Sequence, residues 1–179
     1  MNNIIIETER LILRKISNDD YLDIANILQD SEVMYAWEKT FSDEEVSNWI
    51  EENLKGYKRD GYSYFLAIDK KYNEVVGVMG PLIEIINNKS FIGVAYILNK
   101  NFWGKGYATE GVKGCIDYTF KNLNAKSVIA QIRTCNKSSQ KVVERLNLQV
   151  IYKYIRIYDN KEMEHLVYSI DRNRYYAKD

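Results

Sequence analysis

The chain has 179 residues, a length that suits one compact domain with a sizeable core. Lys plus Arg total 25 and Asp plus Glu total 25, so the formal net charge is zero, which argues against a general nucleic-acid or membrane-surface binder. No apolar run approaches the ~20 residues of a membrane span, and MNNIIIETER turns acidic too early for a secretory signal.

Residues 4–16 read as a strand, with Leu11 and Leu13 on one face and Arg10, Ile12 and Arg14 on the other. Ser17 or Asn18 caps a first helix over 19–29, where Tyr21, Ile24, Ala25 and Leu28 form an apolar stripe. Residues 31–41 form a connection with Met34, Tyr35, Trp37 and Phe41, which must bury against something. Ser42 and Glu45 make a capping box and Phe41 and Val46 a hydrophobic staple, so a second helix starts here. Its stripe is Val46, Trp49, Ile50, Leu54 and Tyr57, and Asp60-Gly61 ends it. Residues 62–69 and 75–80 read as strands joined by a polar turn at 70–74. Pro81, the only proline, marks a break or an edge, 82–86 can continue as strand, and Asn87-Asn88 turns the chain into a strand over 91–98. Most of the 15 tyrosines read as strand residues with one wet end.

Next comes the turn Trp103-Gly104-Lys105-Gly106-Tyr107-Ala108, with a helix starting near Thr109. A glycine turn leading into a helix N-terminus is a ready phosphate site, although it can also be a turn that topology alone requires. The P-loop pattern fails because Tyr107-Ala108 follows Gly106, and the dinucleotide fingerprint lacks its third glycine at Thr109, which disfavours a nucleotide hydrolase. Val112, Ile116 and Phe120 face the sheet, while Gly111 and Gly114 suggest close approach of a strand or a ligand. A strand over 127–133, parallel to 91–98, precedes a short helix over 136–146 with Val142, Val143 and Leu146 inward. Residues 149–158 and 163–170 form a last hairpin, and 171–179 is a frayed polar tail. Cys115 and Cys135 fit no metal or redox spacing and read as reduced buried thiols, so a soluble cytoplasmic protein without a metal site is expected. The element order argues one α+β domain over 1–179 with a mixed sheet.

Trp103, Gly106 and Ala108 fall on the three fixed positions of the acyl-CoA signature Gln/Arg-x-x-Gly-x-Gly/Ala, with Trp103 departing at the first. Asn136, Ser139, Val142 and Glu144 match a second motif some thirty residues on, and Thr8-Glu9-Arg10-Leu11 matches an opening T-E-R-L. On these the chain resembles the GNAT acetyltransferase superfamily, in the branch of the ribosomal-protein N-terminal acetyltransferases, over nearly its whole length. The resemblance implies a mostly antiparallel sheet of about seven strands flanked by about four helices, with a splayed central strand pair. It implies acetyl-CoA as co-substrate, with backbone near Ile97 and Leu98 holding the pantetheine. Amides of Gly104, Lys105, Gly106, Tyr107, Ala108 and Thr109 would take the pyrophosphate. Asn136 would bond the pantetheine arm or a water, and Lys141 or Arg145 could meet the nucleotide phosphate.

Many members of the family use a tyrosine to protonate the leaving thiolate where this chain has Val143. Ser139 is the candidate replacement, and Tyr96 is another polar group on the central strand. Relatives often carry a carboxylate where this chain has Gly93, so no base is evident on that strand. His165 reads as structural. The implied activity is acetyl transfer to a primary amine, of a small molecule or a protein N-terminus, by direct attack on the thioester. The alternative is a non-catalytic acyl-CoA sensor or interaction module. A monomer or homodimer without nucleic-acid or membrane partners is expected.

Overall fold

The computed structural model describes residues 4–177. The elements in chain order are β1 (Ile4–Glu7), β2 (Leu11–Lys15), α1 (Tyr21–Leu28), α2 (Asp43–Arg59), β3 (Phe65–Asp69), β4 (Val75–Ile86), β5 (Lys89–Leu98), α3 (Tyr107–Asn122), β6 (Ser127–Arg133), α4 (Lys137–Arg145), β7 (Gln149–Tyr158), β8 (Lys161–Asp171) and α5 (Arg172–Tyr176). The strands form one sheet in the order β1-β2-β3-β4-β5-β6-β8-β7. Every neighbouring pair is antiparallel except β5–β6. That parallel pair meets only at Gly93–Ile129, whereas β4 and β5 pair without a break from Gly77–Leu98 to Ile86–Lys89. Beyond Gly93, therefore, β5 has lost its β6 partner, and the two strands part toward their C-terminal ends.

The capping box at Ser42 forms as expected. The Ser42 hydroxyl accepts from the Glu45 N–H at 3.2 Å and the Glu45 carboxylate from the Ser42 N–H at 2.8 Å. Val46, Ile50 and Tyr57 are buried, and Tyr57 stacks on Phe65 of β3. Val112, Ile116 and Phe120 of α3 are buried in the main core. The two helical glycines sit at a close approach: a Cβ on Gly111 would lie 2.0 Å from the Met79 sulfur of β4, and one on Gly114 2.8 Å from Thr8 Cγ2.

Several expectations need correction. The stretch 4–16 is a hairpin of two strands. Thr8 turns the chain, its N–H donating to the Leu11 carbonyl at 2.9 Å and its hydroxyl accepting the Leu11 N–H at 3.0 Å. The sheet thus has eight strands where about seven were expected. Pro81 does not break β4. Pairing of β3 with β4 stops at Phe65–Met79, so Pro81 has a single strand neighbour and its missing N–H is tolerated as on an edge. The tail is folded as far as 177. Asp171 accepts the Arg174 N–H at 2.9 Å, and Tyr175 and Tyr176 pack on Phe120 at 5.3 and 6.0 Å. That makes five helices where about four were expected, and residues 178–179 lie outside the described residues. Short 3-10 turns at 18–20, 33–37 and 100–102 were also not foreseen. Cys115 is buried, but Cys135 is exposed, because it stands in the connection after β6 and not inside it.

Candidate functional site

The gap between β5 and β6 opens toward the glycine turn. Asn99 accepts the Asn101 N–H at 3.0 Å and starts the 3-10 turn that lifts Trp103 out, 44 % exposed. Gly104 and Gly106 have φ of 72° and 84°, the left-handed region that glycine adopts without strain. A Cβ on Gly104 would meet nothing within 4 Å. Helix α3 starts at Tyr107, two residues before the expected Thr109. Its first intrahelical bond runs from Glu110 N–H to the Gly106 carbonyl at 3.1 Å, so the amides of Tyr107, Ala108 and Thr109 have no acceptor inside the helix.

The turn is braced from behind by the N-terminal segment. Glu110 accepts from the Thr8 hydroxyl at 2.6 Å, the Arg10 N–H at 2.7 Å and the Arg10 Nε at 2.6 Å. Arg10 Nη1 donates to the Lys105 carbonyl at 2.9 Å, and the guanidinium lies 4.3 Å over the Tyr107 ring. Burial pushes the Glu110 carboxyl up, but the bonds from Thr8 and Arg10 outweigh it and hold it below the ordinary carboxylate range. Arg10 balances the one acidic group in the first turn of α3, so the positive helix end stays available to an anion.

A cavity of about 560 Å³ fills this end of the gap. Ile97, Leu98, Trp103, Gly104, Gly106, Tyr107, Ala108, Thr109, Asn136 and Ser139 all line it, as do Lys141 and Arg145. Lys105 does not line it, because its carbonyl is turned to Arg10 and its ammonium lies 5.5 Å over the Phe102 ring. The side chain of Tyr107 points elsewhere, to Asp69 at 2.6 Å, which leaves its backbone for the cavity. The Leu98 carbonyl accepts Trp103 Nε1 at 3.2 Å, a contact a ligand would have to share or displace. No carboxylate among the described residues lines this cavity. Bare amides, two cations and no acid make a cradle that fits an elongated anionic molecule.

A second cavity of about 310 Å³ adjoins the first. The two cavities share Trp37, Tyr96, Asn136 and Ser139. At this junction the Tyr96 hydroxyl and Ser139 Oγ are 3.0 Å apart. Burial pushes the Tyr96 hydroxyl above its ordinary value, opposed by its bond to Ser139, so it stays protonated at neutral pH. The Asn136 side-chain oxygen caps α4 at the Ser139 N–H, 3.0 Å, and also accepts from the hydroxyls of Tyr35 at 2.8 Å and Ser138 at 3.0 Å. Only its NH2 group is left for a ligand. The connection 31–41 walls both cavities, and Arg133 ties it to β6 through the Ala36 carbonyl and Glu38, each at 2.8 Å.

Sequence reasoning missed the polar floor of the second cavity. Glu84 of β4, Gln131 of β6 and His165 of β8 line it together with Tyr64 and Arg156. His165, read as structural, forms part of this wall, and its Nδ1 bonds the Met163 carbonyl at 2.8 Å. Burial pushes its imidazole below the ordinary value. These residues are far apart in the chain, and the one local hint was the small residue at Gly93. Among the described residues no group of three or more His, Cys, Asp or Glu side chains is placed to hold a metal.

A sheet with one parted parallel pair, bare helix amides at the mouth of the gap and a second chamber next to it is an arrangement suited to an acyltransferase that uses an acyl-CoA. Comparison with known proteins agrees. Residues 10–149 match the model of the acetyltransferase (GNAT) domain. The chain is 33 % identical over 145 residues to an uncharacterised N-acetyltransferase, p20, of Bacillus licheniformis, covering 79 % of this chain and 80 % of that one. RimL, a ribosomal alpha-N-protein acetyltransferase, shares the fold at a TM-score of 0.77 and 18 % identity, over 96 % of this chain and 95 % of that one. Spermidine N-acetyltransferase of Vibrio cholerae, solved with CoA and spermine, does so at 0.75 and 18 %, over 93 % and 98 %. The chain belongs to the GNAT acetyltransferase family and is an acyl-CoA-dependent N-acetyltransferase.

Proposed function

We propose that the chain transfers the acetyl group of acetyl-CoA to a primary amine, of a small molecule or a protein N-terminus. The carrying observation is the meeting of an acid-free cavity and a polar chamber at Tyr96, Ser139 and Asn136. In this reading the amides of Gly106 to Thr109 and the cations Lys141 and Arg145 hold the phosphates. The unpaired run of β5 beyond Gly93 takes the pantetheine arm, and the amine enters from the second chamber. Acetyl-CoA supplies a thioester whose carbonyl carbon the amine attacks. An α-amino group at pKa ~7.7–8 loses its proton readily at neutral pH, while a lysine at ~10.4 needs a stronger base. The Tyr96 hydroxyl, kept protonated by burial and held by Ser139, is the donor for the departing sulfur.

The non-catalytic alternative rests on the absence of a tyrosine at Val143 and of a carboxylate at Gly93. Ionisable groups lining the second chamber speak against it. The chain is read as one cytoplasmic domain, monomeric or homodimeric, without nucleic-acid or membrane partners. No helix among the described residues is long and apolar enough to cross a membrane. The test is thiol release from acetyl-CoA across a panel of amines. Release that depends on one class of amine is expected, and tight CoA binding with no release from any amine overturns the reading.

A further inference from the structure

Strand alternation places Leu82, Glu84 and Ile86 of β4, Phe91 and Gly93 of β5, and Ile129 and Gln131 of β6 on one face of the sheet. The Glu84 side chain lies across Gly93: a Cβ there would come within 2.6 Å of Glu84 Cγ. Any other residue at 93 would push Glu84 aside. Because β5 presents only backbone at this point, Glu84 spans it and reaches β6. There Gln131 Nε2 donates to Glu84 Oε2 at 2.6 Å, and the Tyr154 hydroxyl in turn donates to Gln131 Oε1. Arg156 Nη1 is 4.0 Å from the same oxygen, beyond hydrogen-bond reach. Glu84 Oε1 has no hydrogen-bond partner among the described residues. Glu84 is also the only carboxylate lining the second chamber among the described residues, and Tyr96 and Ser139 line the same chamber.

We propose that Glu84 is the carboxylate that receives the acceptor's ammonium group and takes its proton, with Gly93 the space that lets it reach across β5. This rests on the acetyltransferase reading above and adds to it the base and the group that selects the acceptor. The ammonium gives one proton to Glu84. The freed nitrogen lone pair then forms the C–N bond to the acetyl carbon, and the C–S bond breaks with its electron pair on sulfur. The nitrogen's second proton is lost as the sulfur is protonated, and Glu84 releases its own proton to solvent. The products are an amide and a thiol, with one proton released for each ammonium consumed.

The charged and titratable groups around Glu84 are Arg156 and Tyr154 on β7, Tyr64 ahead of β3, and His165 on β8 across the chamber. Burial pushes the Glu84 carboxyl above the ordinary carboxylate range, opposed by Arg156. That moves it toward the pH at which a base both ionises and holds a proton.

The experiment uses the full chain and its Glu84→Gln, Glu84→Asp and His165→Gln variants, with alaninamide, tyramine and spermidine as acceptors. Two quantities are read: kcat/KM against pH, and the extra rise in Tm that an amine adds on top of CoA. Glu84→Gln is expected to lower kcat/KM by roughly 100-fold, to move the acid limb of the profile up toward the amine's own pKa and to lose the amine-dependent rise, while the rise from CoA alone is unchanged. Glu84→Asp recovers part of the activity. Wild-type kcat/KM in Glu84→Gln overturns the proposal. So does an acid limb that stays in place in Glu84→Gln and moves in His165→Gln. If the wild type turns over no amine yet shows an amine-dependent rise that needs Glu84, the transfer reading and Glu84's role as base both fail, and only its role as the partner of the ammonium stands. If neither turnover nor an amine-dependent rise occurs in the wild type, both are overturned.

Discussion

At the scale of single residues, the junction pairs two hydroxyls of unequal use. Ser139 and Tyr96 are within hydrogen-bond reach of each other and both line the two cavities, but Tyr96 does so from the parted strand itself and Ser139 from α4. Tyr96→Phe should therefore lower kcat by roughly 100-fold, and Ser139→Ala, which removes only a partner, by roughly tenfold or less. Thiol release at saturating acetyl-CoA checks this, and a larger loss in Ser139→Ala than in Tyr96→Phe would make the serine the donor. The two residues differ in how visible they are in the sequence. Ser139 and Asn136 stand in a contiguous motif with a local reason, the cap of α4. Glu84 could not be found, because its place depends on the β4–β5 register and on a glycine two positions away in space, and neither leaves a mark in a short window.

Among the elements, α2 was legible because its signals are local. Replacing Ser42 with Ala removes the acceptor for the Glu45 N–H and should cost about 1 kcal/mol. Urea unfolding measures it through the midpoint. Helix α3 sets a sharper test. On propensity alone Gly111→Ala would stabilise by about 1 kcal/mol. Yet the added carbon would overlap the fully buried Met79 sulfur, and overpacking costs about 1–3 kcal/mol, so net destabilisation is expected. A raised unfolding midpoint in Gly111→Ala would contradict the close packing of α3 on β4. What sequence patterning mistook were places where tertiary contacts decide. The hairpin at Thr8 forms around a carboxylate a hundred residues away, and α5 folds because its two tyrosines find Phe120. Apolar alternation carries neither message. The parallel β5–β6 pair followed from the βαβ order, whereas its separation was implied only by family resemblance.

For the molecule as a whole, the Arg10–Glu110 charge pair links the first strands to the functional end. Arg10→Met should weaken CoA binding roughly 3–10-fold by loosening the turn. It should cost only about 1 kcal/mol of stability, because Arg10 is 39 % exposed and solvent screens the pair. A CoA titration and a urea curve separate the two effects. Among the carboxylates held below their ordinary range are Glu110, against its burial; Asp20, also against its burial, by Arg14; and Asp69, by the Tyr107 hydroxyl. The stability they confer is complete above the ordinary carboxylate range and is lost as pH falls through their depressed values. Glu84 has the opposite sign, since its ionisation costs stability as pH rises through its raised value. Glu110→Gln should flatten the acid side of a stability–pH curve, and Glu84→Gln should match or exceed the wild type near pH 8. The parted strands carry a last consequence. Between Gly93 and Leu98 one side of β5 faces no ladder, and apart from the Leu98 carbonyl, which Trp103 takes, the main-chain groups on that side have no strand to bond. Those amides should take up deuterium quickly in the unliganded enzyme and slow down once the thioester arm lies along them, so that substrate fills the place of a missing strand.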